Sequence, residues 1–417
     1  MKPFFYSKFL LLVLVLFLPR HSSAFGVLTH EAIIDASWDN SILPLLKEKY
    51  SYITLEQQKE AHAYAYGGAV TPDMGYYPFG SKFFTNLVHY VRSGDMVNAL
   101  LKDARNINEY AFALGFLSHY IADNYGHPFA TNVSVPLVYP KLEKKYGRVI
   151  TYADNRISHM RMEFGFDVLE VAKGNYASQA YHDFIGFKVD TAVLSRAFSE
   201  IYGVDINSVF NNHLQLAVET FRWIVSNIFP TITKAAWSAK KNTVKSLNHS
   251  VTSKNFTFKM RRKQYNKQFG KGYKRPGIRA KILSFFIRAL PKIGPLKALR
   301  FKTPTSKAEE LFDKSFDTIL VHFAYNLKQL PEQHLHEKDF DFDTGKPTAD
   351  CEYSLADETY CDWLLHLEAA GLPNADIRIR NNIINFFHLD SNINAFDTPS
   401  KKCLKFYSAC KEIMALH

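Results

Sequence analysis

The residues predict an all-α protein, and three observations carry that expectation. Apolar side chains recur at three- and four-residue spacing through most of the 417 positions, period-2 alternation is scarce, and the periodic runs are broken by Gly and Pro turn signals. The periodic runs fall at 29–36, 55–66, 106–125, 157–172, 206–228, 306–330 and 355–370, each long enough to be a helix. Gly67-Gly68 ends the second run, and Thr71-Pro72-Asp73 and the Tyr77-Pro78-Phe79-Gly80 turn follow it. His127-Pro128 marks the next break after 106–125. No internal repeat of fixed length is visible.

The amino terminus reads as an export signal. Lys2 and Lys8 precede the apolar run 9–18, and Ser22-Ser23-Ala24 offers small residues for cleavage after Ala24. The alternative is an uncleaved anchor, for which the run is short. The expected location is secreted or periplasmic, with peripheral membrane association. The cysteines at 351, 361, 403 and 410 then suit disulfides, with Cys351–Cys361 and Cys403–Cys410 the local pairing among three connectivities.

Charge is distributed unevenly. The chain carries 51 Lys+Arg and 40 Asp+Glu, net +11. Residues 25–219 are net −5 and residues 309–417 net −9, whereas 220–308 hold 22 basic groups and no acid. The expected organisation is a signal segment 1–24, a catalytic domain 25–240, a basic amphipathic insertion 241–305 and a helical region 306–417.

The chemistry concentrates between residues 25 and 163. His119, Asp123 and His127 recur at i, i+4 and i+8, so a helix presents all three on one face. The residues around them are apolar, and burying two imidazoles and a carboxylate there is costly unless they bind something. His159 and Glu163 form a second i, i+4 pair. His89 lies in an apolar segment, Asp73 follows a Thr-Pro turn, and His30 lies close to the expected new terminus. Nitrogen and oxygen donors without cysteine suit zinc. Eight such side chains exceed one tetrahedral ion and suit a cluster of two or three. His62, His182 and His213 read instead as ordinary polar residues.

Phe25-Gly26-Val27-Leu28-Thr29-His30, Thr71-Pro72-Asp73, His89, His119-x3-Asp123-x3-His127 and His159-x3-Glu163 together resemble the zinc-dependent phospholipase C family. The S1/P1 nucleases share the same plan. The resemblance implies a multi-helix catalytic domain of that type, with a helical C-terminal extension beyond it, and up to three zinc ions. Asp73, His89, His119 and Asp123 would hold the first, and His127, His159 and Glu163 the second. His30, Asp123 as a bridge, and the α-amino nitrogen and carbonyl oxygen of Phe25 would hold the third. It further implies a phosphodiesterase in which a zinc-activated water attacks phosphorus, with Asp73 as orienting group or general base. The family's terminal residue is usually Trp, where this chain has Phe25. Many members have five residues before the final His of the triplet, and the three found here are similar to the glycosylphosphatidylinositol-specific phospholipase D branch.

The substrate expectation is a phospholipid. S1-type nucleases usually carry Asp where this chain has Glu163. Residues 279–290 spell a basic amphipathic helix, in which Lys281, Phe286 and Arg288 are candidates for an anionic membrane surface. A helix packed on the protein's own acidic bodies is the plain alternative. A nuclease, reading nucleic acid through Arg261-Arg262-Lys263 and nearby rings, is the second enzyme reading. A metal-bearing, membrane-associated binding protein without turnover is the third. Asp339-Phe340-Asp341-Phe342-Asp343-Thr344-Gly345 reads first as a solvated acidic loop and second as a calcium (Ca2+) site.

Overall fold

The computed structural model describes residues 26–177, 179–230, 301–331, 336–371, 376–388 and 413. The signal segment, Phe25, the basic insertion 241–300 with Lys281, Phe286 and Arg288, and Cys403 and Cys410 lie outside the described residues.

The architecture is all-α. The first helix, α1 (Val27–Ser37), passes through a wide turn into α2 (Leu43–Lys49). Helix α3 (Leu55–Val70) begins with a capping box. Thr54 Oγ1 accepts from Gln57 N at 3.2 Å, and Gln57 Oε1 accepts from Thr54 N at 2.9 Å. A 3₁₀ turn, Thr71–Tyr76, leads to α4 (Lys82–Tyr90) and α5 (Ser93–Asp103). Asn106 caps the long α6 (Ile107–Gly126), which runs through a wide turn at His127–Thr131 into α7 (Asn132–Val138) and α8 (Pro140–Tyr146). Asn155 caps α9 (Arg156–Lys173). Then come α10 (Gln179–Ile185), α11 (Thr191–Tyr202), α12 (Ile206–Val209) and α13 (Leu214–Trp223).

The run 206–228, expected as one helix, is broken. Asn211 and Asn212 take left-handed backbone at φ 52° and 62° and separate α12 from α13. Asparagine tolerates that conformation because its short amide bonds locally.

Beyond the basic segment, Thr305 caps α14 (Ser306–Gln329). Phe312, Ile319, Phe323 and Leu327 line one face of α14 and are buried. Each contributes about 1.5–3 kcal/mol on burial. A two-residue antiparallel ribbon, β1 (Phe340–Asp341) with β2 (Lys346–Pro347), precedes α15 (Ser354–Gly371) and α16 (Ile377–Phe386). These later helices share one core cluster with the amino-terminal ones. Among the described residues no helix is long and apolar enough to cross a membrane.

The local disulfide is not formed. Cys351 is exposed in the turn before α15 and has no disulfide partner among the described residues. Cys361 sits two turns into that helix and is half-buried.

Candidate metal centre

Backbone contact between α3 and α6 builds the site. A methyl group on Gly68 would run into the carbonyl oxygen of Phe112, and one on Gly115 into that of Ala65. Without side chains at these points the two helices touch directly, and the Ala69 carbonyl reaches His119. His119 Nδ1 donates to it at 2.8 Å. The following turn brings Asp73 to the same place. Thr85 of α4 fastens that turn, donating from Oγ1 to Pro72 O at 2.7 Å and accepting from Gly75 N at 2.9 Å. The Thr85 carbonyl in turn accepts from His89 Nδ1 at 2.8 Å.

Asp123 lies at the centre, fully buried. Its Oδ2 is 3.1 Å from His119 Nε2 and 3.6 Å from His89 Nε2. Its Oδ1 is 3.5 Å from His30 Nε2 and 3.8 Å from His127 Nε2. His89 Nε2 is also 3.4 Å from Asp73 Oδ1. On the other flank, Glu163 Oε1 is 2.8 Å from His159 Nε2 and 3.2 Å from His127 Nε2. Three groups each bring ligand atoms within 4.8 Å of one another: His30, His119 and Asp123; Asp73, His89 and His119; and His127, His159 and Asp343.

The donor chemistry fits a cation. A carbonyl only accepts, so the bonds from His89 and His119 to Thr85 and Ala69 place the proton on Nδ1. In the neutral ring Nε2 then presents a lone pair to a carboxylate oxygen. Acceptor faces acceptor, an arrangement that a metal ion between them resolves. Both carboxylate oxygens of Asp73 and Asp123 and both ring nitrogens of His159 are buried without a hydrogen-bond partner among the described residues. Buried polar atoms are rarely left so, and a bound cation is one recognised cause.

The electrostatics are divided. Burial, then the neighbouring His119, pushes His89 down to about 3 and His30 well below its ordinary value. Burial, then the charge of Asp123, pushes the Asp73 carboxyl well up. Burial opposes ionisation of Asp123, yet His119 and His127 hold its carboxyl below the usual range. His127 runs the other way: burial opposes its charge, but Asp123, Asp343 and Glu163 raise its affinity for a proton. The set is therefore mixed, with His30 and His89 held neutral beside one ionised and one proton-seeking carboxyl.

The structure brings together all eight side chains singled out in the sequence: His30, Asp73, His89, His119, Asp123, His127, His159 and Glu163. It also adds residues that the sequence reading missed. Asp343, expected in a solvated loop, is 2% exposed, with Oδ1 3.1 Å from His127 Nδ1. The signal was there: a loop that alternates acids with Phe340 and Phe342 has an apolar face to bury. Asp167, one turn after Glu163, accepts from Leu28 N at 3.2 Å, Thr29 N at 3.0 Å and Thr29 Oγ1 at 2.7 Å, and so seats the start of α1. His62 and His182, set aside as ligands, both bond Asp35, at 3.2 and 3.3 Å.

Residues 29–212 match the family model described as zinc dependent phospholipase C. No curated protein and no solved structure matches the chain. All eight of the converging side chains lie inside that matched stretch, and the family it matches, zinc-dependent phospholipase C, is one of hydrolases.

Proposed function

We propose that this chain is an exported, zinc-dependent phosphodiesterase that hydrolyses phospholipids. The observation that carries the reading is the convergence of eight buried imidazoles and carboxylates inside a stretch that matches that family. Asp73, His89, His119 and Asp123 would hold one ion, and His127, His159 and Glu163 a second. His30 and Asp123, with the backbone of Phe25 at the processed terminus, would hold a third. Bound zinc neutralises charge on a phosphodiester and lowers the pKa of water to about 7.

The chain's own residues supply positioning and proton transfer. The Ala69 and Thr85 carbonyls hold His119 and His89 with Nε2 directed at the carboxylates. Asp123 reaches imidazoles on both flanks and sets the spacing between them. Asp73 is the candidate general base: burial and the adjacent Asp123 raise its affinity for a proton at its carboxylate. The basic segment, through Lys281, Phe286 and Arg288, would dock the enzyme on an anionic lipid surface.

The test is incubation of zinc-loaded mature protein with phosphatidylcholine vesicles, a water-soluble phosphodiester and single-stranded DNA. Diacylglycerol release is the expected result, and phosphatidate would reassign the bond cleaved. Nucleotide release alone, or no product at all, would overturn the proposal. Amino-terminal sequencing of the same sample is expected to begin at Phe25.

A further inference from the structure

Asp343 approaches the centre from outside the matched stretch, and its bonding differs from that of the ligands. Its Oδ1 lies 3.1 Å from His127 Nδ1, and the neighbouring Phe342 carbonyl oxygen lies 3.1 Å from the same nitrogen. Its Oδ2 accepts from Tyr90 Oη at 2.9 Å and from the Tyr353 hydroxyl. Both oxygens are therefore engaged, whereas those of Asp73 and Asp123 are not. His127 turns its other nitrogen, Nε2, toward Glu163 at 3.2 Å and Asp123 at 3.8 Å.

The turn that carries Asp343 is fixed on several sides. Asp343 N and Thr344 N donate to Asp341 Oδ1 at 2.9 and 3.0 Å. Phe342 N donates to His89 O at 3.2 Å, and Asn132 Nδ2 donates to Asp343 O at 2.7 Å. Gly345, at φ 65°, has no room for a side chain against the Asn124 carbonyl of α6. Asp339 Oδ1 accepts from Gly94 N at 3.0 Å and Asp95 N at 3.1 Å, at the start of α5. A carboxylate held this firmly has a defined direction, and that direction is toward the back of a ligand imidazole.

We infer that Asp343 is a positioning residue of the metal centre: together with the Phe342 carbonyl it accepts the Nδ1 proton of His127, and its charge helps to direct Nε2 at the metal. The inference rests on the zinc reading above. An outer carboxylate of this kind raises the basicity of the imidazole and sharpens its orientation, and its loss typically weakens metal affinity 10–100-fold. The C-terminal region thereby becomes part of the centre rather than an appendage to it.

The experiment uses full-length mature protein, its Asp343→Ala and Asp343→Asn variants, and His159→Ala as a ligand-loss control. Circular dichroism establishes that each is folded. Zinc affinity is read by chelator competition, zinc stoichiometry by elemental analysis, and ligand geometry by the visible spectrum of the cobalt-substituted protein. The expected result for Asp343→Ala is unchanged stoichiometry at saturating zinc, about 10–100-fold weaker binding of one ion and a shifted cobalt spectrum. Asp343→Asn, whose amide oxygen still accepts the Nδ1 proton, is expected to recover part of the affinity. If Asp343→Ala does not fold, Asp343→Asn carries the comparison, with affinity between parent and the tenfold limit. Parent-like affinity and spectrum in both variants would overturn the inference and leave the zinc reading intact. Loss of a whole ion, as expected for His159→Ala, would also overturn it, by making Asp343 a ligand. A parent protein that binds no zinc would overturn both.

Discussion

The ring of His30 stacks on the ring of His119, with centroids 4.2 Å apart and planes 14° from parallel, and both present Nε2 to the carboxylate of Asp123. One residue comes from the first helix and the other from the long central helix. The carboxylate they share is the point on which the whole cluster depends.

Replacing that carboxylate is therefore expected to be the most damaging single change to the centre. Asp123→Asn removes an anion that lies within 4 Å of four imidazoles. Bound zinc should fall by at least one ion per chain, and phosphodiesterase activity by roughly 10²–10³-fold. Elemental analysis and a turnover assay check both, and parent values in both would contradict this view of Asp123.

Zinc should also stabilise the fold. Without a cation, the buried oxygens of Asp73 and Asp123 have no hydrogen-bond partner among the described residues. A ligand at a hundredfold excess over its Kd adds about 2.7 kcal/mol to the folded state. Chelation should lower the melting temperature by several degrees, and added zinc should restore it. A melting curve insensitive to both treatments would argue against resident metal.

Helix contact at Gly115 can be probed separately from the ligands. In Gly115→Ala the new methyl meets the Ala65 backbone, which cannot yield without moving α3. Overpacking of this kind costs about 1–3 kcal/mol. Because the same contact holds Ala69 O against His119, zinc affinity should weaken together with stability. Urea titration and chelator competition on one sample would show whether the two effects travel together.

The seat of α1 offers a further test. Asp167→Ala leaves the Leu28 N–H without its buried acceptor, whereas Thr29 N keeps Gly26 O at 2.8 Å and the Thr29 hydroxyl keeps Tyr176 Oη at 2.8 Å. The expected loss is about 1–3 kcal/mol for a buried group left unsatisfied. His30 lies one residue beyond Thr29, so its ion should be the one most weakened. Full stability in the variant would mean that α1 is held by other contacts.

The second buried cluster predicts a dependence on pH. His182 Nδ1 is 3.2 Å from Glu31 Oε2, and its Nε2 is 3.3 Å from Asp35 Oδ2. Burial opposes its protonation, but Glu31, Asp35 and Asp183 raise it from 6.5 to about 9. A raised folded-state pKa stabilises fully below about 6.5 and is lost as pH rises toward 9. Burial raises Glu31 to about 7, so it titrates in the same window, whereas Asp35, held down at about 2, stays ionised throughout. Comparing the parent with His182→Gln reads the coupled pair of His182 and Glu31, since His182 also holds the Glu31 carboxyl down. Between pH 6 and 9 the parent should lose more stability than the variant, by roughly 3 kcal/mol at most. Equal slopes in urea titrations would show that His182 is not charged in the fold.

The helical periodicity and the i, i+4 spacing of His119, Asp123 and His127 were legible in the sequence, because both are local consequences of a 3.6-residue repeat. His30, Asp73 and His89 were legible only through their resemblance to a known pattern. Nothing in their spacing says that Gly68 and Gly115 let two helices touch and draw them together. Asp343 was misread because its role lies in a contact more than 200 residues away in sequence, with His127. The Asn211-Asn212 break was missed because apolar periodicity continues on either side of it. Long-range pairing and left-handed backbone leave little trace in a pattern of period 3.6.

The position of Asp343 has a consequence for the order in which the protein is made. It follows Glu163 by 180 residues, so at about 5–20 residues per second a ribosome needs roughly 10–35 s to pass from one to the other. During that interval every ligand in the matched stretch has been synthesised, but the turn that backs His127 has not. Closing so long a loop adds little to the equilibrium cost, which grows only with the logarithm of its length. It weighs instead on the rate, since contacts between distant parts of a chain form late. The centre can therefore be completed only after Asp343 has been made, well after the residues of α3 and α6.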